Sequence, residues 1–445
     1  MIIIPTEDNS TKIEQRKQAM ERILARHNSI PSNHWTDKEL DDIRIRMLMK
    51  RYLFFISVLI SAIITGCSSD RQNKAGLAFI DVMKSYAEKE IILTDIADVT
   101  YVHLNNDNDE YLYQGSINSI TKNTLIVYDN TSGNILFFSK DGKPKSRLNR
   151  KGQGLDEYIN VRQIIYDESA DDVYVLSFGN DEIILIYSST GEYKRRIILP
   201  KGTYINPFLS FDDESLIIYN SRADLKRRTL DESTLPSDFF YVPFVHVSKK
   251  DGKVLNLIEL HDNKIILRDE RIIQGRNGVT GRTSRLIKST EGILLCMPET
   301  DTVFLYGKDK SLTPIIYKTP LVSSSDPMIY MNNCVDIGRY QFMEVFTVRW
   351  EEGSYPFPVK YFMRDKKTGE IFRQKIILPD YKGKDFIISP LQSGIDYENG
   401  PWFELDLIEL KQAYDENRLS GKLKELVATL NEFEDNNVFM IVNFK

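Results

Sequence analysis

A strand–turn–strand unit recurs in this chain about every 48 residues, and that recurrence limits the possible folds more than any other feature. The clearest unit runs Leu125-Ile-Val-Tyr128, a turn at Asn130 to Gly133, Ile135-Leu-Phe-Phe138, and the turn Asp141-Gly142-Lys143. Val173-Tyr-Val-Leu176, a turn at Gly179 to Asp181, Ile183 to Tyr187 and Thr190-Gly191-Glu192 repeat it in the same order. Fainter copies follow. Leu216 to Tyr219 leads to Phe244 to Val247 and Asp251-Gly252-Lys253; Ile293 to Cys296 leads to Thr302 to Tyr306; Phe342 to Phe346 leads to Tyr361 to Met363 and Lys367 to Glu370.

Short β-branched and aromatic runs cut by Asp, Asn, Gly and Ser turns are the pattern of an all-β protein. One small twisted sheet cannot cover both of its faces, whereas a ring of such sheets covers every face between neighbours. The expected fold is therefore a six-bladed β-propeller over residues 91–445, built from units of about 45–50 residues with insertions. An early strand must close such a ring with a late one. Tyr101-Val-His-Leu104 and Val438-Phe-Met-Ile-Val442 are the natural partners. One stretch departs from the β pattern. Leu407, Leu410 and Tyr414, then Leu423, Leu426, Val427 and Leu430, recur at helical spacing. They predict a helical insertion in the last blade, over about 404–432, lying across one face of the ring and packed there rather than acting as a lid.

The chain also carries an address. Lys50-Arg51 precede thirteen almost wholly apolar residues, Tyr52 to Ile64, closed by Ile64-Thr65-Gly66-Cys67. Cations, an apolar run and a small-residue ending form the layout of a secretory signal. The ending resembles the lipobox of bacterial lipoproteins, in which the cysteine after the cut is acylated. Thirteen residues rise only about 20 Å as a helix, short of a ~30 Å bilayer core, so residues 47–66 read as a removable signal. Cys67 is then the lipid attachment site, and residues 67–90 a lipidated tether. Residues 1–46, charged and helix-prone, are out of place before a signal. They read as a gene-start error with translation from Met47 or Met49, or else as a helical cytoplasmic leader. No acidic run follows in Arg71 to Lys74, which leaves the periplasmic face and the cell surface both open.

Ser139-Lys-Asp-Gly-Lys143, Arg150-Lys-Gly-Gln-Gly-Leu-Asp-Glu-Tyr158, Ile164-Ile-Tyr-Asp167 and Val173-Tyr-Val175 together resemble the six-bladed β-propeller lipoproteins of Bacteroidota, distant relatives of NHL-repeat propellers. The family pattern at the second of these is Gly-x-Gly-Pro-Gly-Glu-Tyr. Gly152, Gly154, Glu157 and Tyr158 keep it, while Leu155 and Asp156 depart from it. Asp301-Thr-Val-Phe304 and the terminal Val438 to Lys445 extend the resemblance over nearly all of the mature chain. It implies the fold, export, lipidation and an association with glycan uptake. It implies no established activity.

About 380 residues remain after the signal, with a formal net charge of −6 over the whole chain and mixed signs, so no basic field argues for nucleic acid. His103, His246 and His261 are not spaced as metal ligands, and His103 and His246 read as strand histidines. No Gly-x-Ser-x-Gly elbow or phosphate-binding glycine loop is present. Asn105 to Glu110 reads as a solvated hairpin turn rather than a calcium loop. Cys296 and Cys334 read as two buried thiols, with a disulfide as the alternative. Trp350 and Trp402 suit either sugar stacking or the core. The best candidate for a ligand or channel loop holds Arg150, Gln153, Asp156, Glu157 and Tyr158, with a structural pin between blades as its competing role. No catalytic residue, metal or cofactor is expected. The expected function is a lipid-anchored cell-envelope module that binds a carbohydrate or an envelope protein at the outer membrane. The alternatives are a metal-dependent sugar-lactonase- or lyase-like propeller, or a structural subunit of an outer-membrane complex.

Overall fold

Each recurring unit folds into one antiparallel sheet, and the sheets follow one another as the blades of a ring. The computed structural model describes residues 77–445 except 107–108, 222–241, 261–284, 298–299, 322–323, 326–328, 348–358, 390–393 and 397–399. The leader, the signal with Ile64, Thr65 and Gly66, Cys67, His261 and Trp350 lie outside the described residues. Innermost strands begin the blades: Gly115–Ile120, Val161–Asp167, Ile205–Ser210, Leu286–Ser289, Ile329–Ile337 and Gly394–Asp396 open blades 1 to 6. In blades 1 to 5 the next three strands follow outward in sequence order.

Burial shows why the repeat was legible. Thr124–Asp129 and Asp172–Ser177, second strands of blades 1 and 2, are buried at every position. Alternate side chains serve different neighbours. Leu125 and Val127 pack with Val102, Trp402, Phe439 and Ile441 of blade 6, while Ile126 and Tyr128 pack with Val173, Val175 and Leu185 of blade 2. Further apolar cores join blades 2 to 3, 3 to 4, 4 to 5 and 5 to 6. Both faces of a middle strand are thus covered, which calls for a continuous apolar run. Outer strands such as Pro144–Leu148 alternate instead.

The ring closes as expected. Ala97–His103 is the outermost strand of blade 6, antiparallel to Val438–Phe444, with Val438 opposite His103 and Phe439 opposite Val102. Glycine turns of blades 1 and 3 press against the outer strand of the preceding blade. Gly142 has φ +85°, and a β-carbon there would overlap the His103 carbonyl oxygen. Gly252, at φ +74°, lies against Ile198 in the same way, with 2.7 Å between that β-carbon and the carbonyl oxygen. Only glycine combines this backbone conformation with so close an approach.

The helical insertion is two helices, α1 (Leu407–Asp415) and α2 (Gly421–Ala428), between the second and third strands of blade 6. Asp406 caps α1 by accepting from the Glu409 N–H at 2.9 Å. Leu407, Leu410, Ala413, Leu423 and Val427 are buried with Leu378, Tyr381 and Phe386 of the blade 5–6 connection. This is the packing role expected.

The tether is the main departure from the sequence reading. Ala78–Asp81 adds to the outer edge of blade 4, parallel to Leu312–Thr319, with Ala78 opposite Ile316. Glu88–Ile92 adds to blade 5, parallel to Ile371–Ile377, with Ile91 opposite Ile376. The chain therefore runs around the outside of blades 4, 5 and 6 before entering blade 1. Ala78–Asp81 and Glu88–Ile92, expected as tether, are strands of the ring.

Candidate functional site

The loop from Asn149 to Asn160 connects the outer strand of blade 1 to the inner strand of blade 2. Strand directions place it on the same face as the turns between second and third strands, here termed the crossover face. Two backbone bonds zip it shut: Tyr158 N–H to Arg150 O and Gly152 N–H to Tyr158 O, both 3.0 Å. Tyr158 has no exposed surface and packs edge-on against Tyr187, ring centres 6.1 Å apart. Its hydroxyl donates to Gly133 O at 2.7 Å and accepts from Arg150 N–H at 3.1 Å. Burial holds its pKa well above the usual tyrosine value. The Glu157 carboxylate accepts from Gly154 N–H at 2.8 Å, and a β-carbon at Gly152 would overlap it. The two glycines leave room for the carboxylate folded over them. Arg150 pairs with Asp156 at 3.3 Å, and its buried Nε has no partner among the described residues. Gln153 is exposed. Of the five predicted residues, the structure puts Tyr158 inside the core and makes Glu157 a turn clamp. Arg150, Asp156 and Gln153 remain near solvent.

A second set of side chains continues from this loop and was not singled out from the sequence. A one-residue bulge interrupts the inner strand of blade 2 between Val161 and Gln163, leaving Arg162 as the extra residue. Bulges re-aim side chains, and the inner strands of blades 1, 3 and 5 carry them too. Arg162 donates to Asp181 at 2.8 Å, to the Tyr204 hydroxyl at 3.3 Å and to Ile205 O at 3.0 Å. Its guanidinium lies 4.7 Å from the Phe178 ring centre and 4.9 Å from that of Tyr204. Next to it, Gln163 spans to blade 3, donating to Phe208 O at 2.7 Å and accepting from Phe208 N–H at 3.0 Å.

Around this cation the surface is apolar. Leu155 is 81% exposed, Phe178 50% and Ile159 46%. Phe178 N–H donates to Asn160 O at 2.9 Å, and Ile159 lies 3.7 Å from where a Gly179 β-carbon would stand, so loop and turn form one surface. Asn220, fully buried, accepts from Tyr204 N–H at 3.0 Å, while its Nδ2 has no partner among the described residues. The only sequence signal for this surface was an aromatic residue standing in a glycine turn, Phe178-Gly179.

Other candidates resolve as packing. His246 is buried, its Nε2 2.7 Å from Ser215 Oγ and Nδ1 3.3 Å from the Tyr306 hydroxyl, which makes it a satisfied strand histidine. His103 lies in the closing strand, Nε2 3.5 Å from Asp435; burial lowers its pKa and the carboxylate opposes that. Trp402 is a core anchor between blades 6 and 1. Cys296 is buried between blades 4 and 5, and the side chain of Cys334 lies outside the described residues. A crevice of about 310 Å³ separates α1 from the blade 5–6 connection. On its wall Lys384 pairs with Glu409 at 2.8 Å, and burial raises the pKa of Glu404. Among the described residues, no three His, Cys, Asp or Glu side chains are grouped to hold a metal ion.

Residues 70–238 match the sequence model of a family described as a six-bladed beta-propeller. Six sheets joined by six inter-blade cores agree with it. The chain is a six-bladed β-propeller. No curated protein matches it. Among solved structures, the propeller is similar to a protein of Bacteroides fragilis NCTC 9343 described as exported, with TM-score 0.55 and 16% identity, covering 83% of this chain and 99% of that one. Weaker likenesses include virginiamycin B lyase from Staphylococcus aureus, at TM-score 0.34 and 11% identity, covering 64% of this chain and 75% of that one. Another is the extracellular domain of a hybrid two-component system from B. thetaiotaomicron, at TM-score 0.36 and 12% identity, covering 69% and 34%. At 16% identity the likeness to the Bacteroides fragilis protein speaks for the fold alone.

Proposed function

We propose that this propeller is a binding module of the cell envelope, tethered by lipid on Cys67, whose ligand or partner protein docks on the crossover face of blade 2. The observation that carries the reading is the half-exposed Phe178 ring held against the charge-paired Arg162, with exposed Ile159 beside the same turn. Exposed aromatic and aliphatic side chains beside a fixed guanidinium are the usual makings of a contact centre. Arg162 is already held by Asp181, Tyr204 and Ile205, so its donors are preorganised and little side-chain entropy is lost on binding. A sugar ring stacking on Phe178, or an apolar side chain of a protein, fits this surface.

The test uses a photoreactive phenylalanine at position 178 or 155 in intact cells, with Thr190, on the outer edge of blade 2, as control. A panel of oligosaccharides is titrated against the purified protein in parallel. The reading expects a defined adduct from 178 and 155 but not 190, or saturable sugar binding weakened more than about tenfold by Phe178→Ala at unchanged thermal stability. Neither adduct nor saturable binding would remove this face as the docking site.

A further inference from the structure

The route of the N-terminal chain bears on how the ring is held. We infer that the propeller rests edge-on against the phospholipid surface through the outer rim of blade 4, next to blade 5, so that the blade 2 face is carried two blades away from the contact. This rests on the lipid-anchor reading of Cys67 above.

The first argument is reach. Ala78–Asp81 is locked to Leu312–Thr319 by a continuous parallel register, so no more than the residues between Cys67 and Ala78 separate the proposed anchor from that strand. Eleven residue steps span about 40 Å at full extension and less in any relaxed state. A leash of that length emerging from the rim of blade 4 keeps that rim nearest the bilayer. In a ring of six, blade 5 stands opposite blade 2, and blade 4 opposite blade 1. The surface of Ile159 and Phe178, on blade 2 and the loop that enters it, therefore lies two blades round the ring from the point of attachment.

The second argument is the chemistry of the rim. Phe79 is half-exposed and meets Tyr317 edge-on at 5.8 Å, and Met83, just beyond the strand, is 60% exposed. Lys84 follows, its amine 5.3 Å from the Tyr86 ring centre. Exposed apolar side chains beside a cation and a tyrosine suit the boundary between headgroups and acyl chains. The adjoining edge of blade 5 presents no net field against an anionic surface. Its charges are paired as Lys89–Glu370 and Lys375–Glu90, both 2.7 Å, and Arg373–Glu88 at 3.3 Å.

The full-length lipoprotein, purified in detergent and reconstituted into phosphatidylethanolamine/phosphatidylglycerol vesicles, decides the matter. An environment-sensitive fluorophore is placed by Met83→Cys or, separately, Thr190→Cys, in a Cys334→Ser background. Nitroxide-labelled lipid is the quencher. The proposal expects at least about twofold stronger quenching and a blue-shifted emission at position 83 relative to 190. Phe79→Ser in the Met83→Cys protein should reduce that quenching while the protein still floats with vesicles. Equal quenching at both positions in floating protein overturns the rim contact and leaves the anchor standing. Energy transfer between labels at 83 without quenching overturns it in favour of a second copy. Failure to float removes the anchor and the rim contact together.

Discussion

Replacing Tyr158 with Phe separates the two roles open to the loop from Asn149 to Asn160. The change removes one oxygen from a side chain without exposed surface. That oxygen donates to Gly133 O in a turn of blade 1 and accepts from Arg150 N–H in the inter-blade loop, so two backbone groups lose a partner at once. An unsatisfied buried group costs roughly 1–3 kcal/mol. Gly133 is buried and should sit within that range; Arg150 is partly exposed, and water can replace its partner. The expected loss is about 2–3 kcal/mol, with the edge-on contact to Tyr187 intact. Tyr158→Ala also empties ring volume from the core between blades 1 and 2 and should lose roughly 3–5 kcal/mol. Urea unfolding followed by fluorescence gives the differences, with an unchanged denaturant slope showing that stability moved. Amide exchange at Arg150 should quicken in the Phe variant. If Tyr158→Phe stays within about 0.5 kcal/mol of the parent, the hydroxyl is no pin between blades and the reasoning fails.

Three further outcomes follow from the same geometry. Gly142→Ala should lose more than about 2 kcal/mol beyond Gly383→Ala in thermal denaturation, because both have positive φ but only Gly142 faces a carbonyl oxygen, while a β-carbon at Gly383 meets nothing within 4 Å. Equal losses would leave backbone conformation as the whole effect. Stability should fall as pH rises above the ordinary tyrosine range. Burial pushes Tyr166 and Tyr174 up to about 12, so above about pH 10 the unfolded chain releases protons that the native one keeps, and the stability they contribute is lost by about pH 12. Thermal midpoints flat from pH 9 to 12 would contradict that. Deleting the chain through Ile92 should leave a folded ring with a lowered midpoint, whereas deletion through His103 should not yield a folded monomer by near-UV circular dichroism. The second deletion strips the outer strand from Val438–Phe444 and takes Val102 from the core between blades 6 and 1.

The candidate site was less legible than the ring. Glycine and glutamate spacing marked the loop around Tyr158 because a folded-back carboxylate needs two residues without side chains beneath it, which is a local constraint. It could not show that Tyr158 points into the core, since its partner Gly133 is 25 residues away across a blade boundary. Arg162 lay in a strand among polar and apolar neighbours, with no pattern to distinguish it. Its importance comes from Phe178, Asp181 and Tyr204, which reach it from a turn and the next crossover.

By itself the sequence determined the kind and order of the blades, the closing pair and the two helices. Those features rest on burial that repeats at fixed local spacing, and middle strands covered on both faces are written as unbroken apolar runs. Only the tertiary structure decided that residues 78–92 bind blades 4 and 5. Glu88–Ile92 is exposed at four of its five positions, and its parallel partner lies some 285 residues on. Such a strand is held by its backbone on an open sheet edge, and backbone pairing leaves no mark on side-chain composition. The same structure brought Arg162 and Phe178 together on blade 2, a contact that no local spacing records.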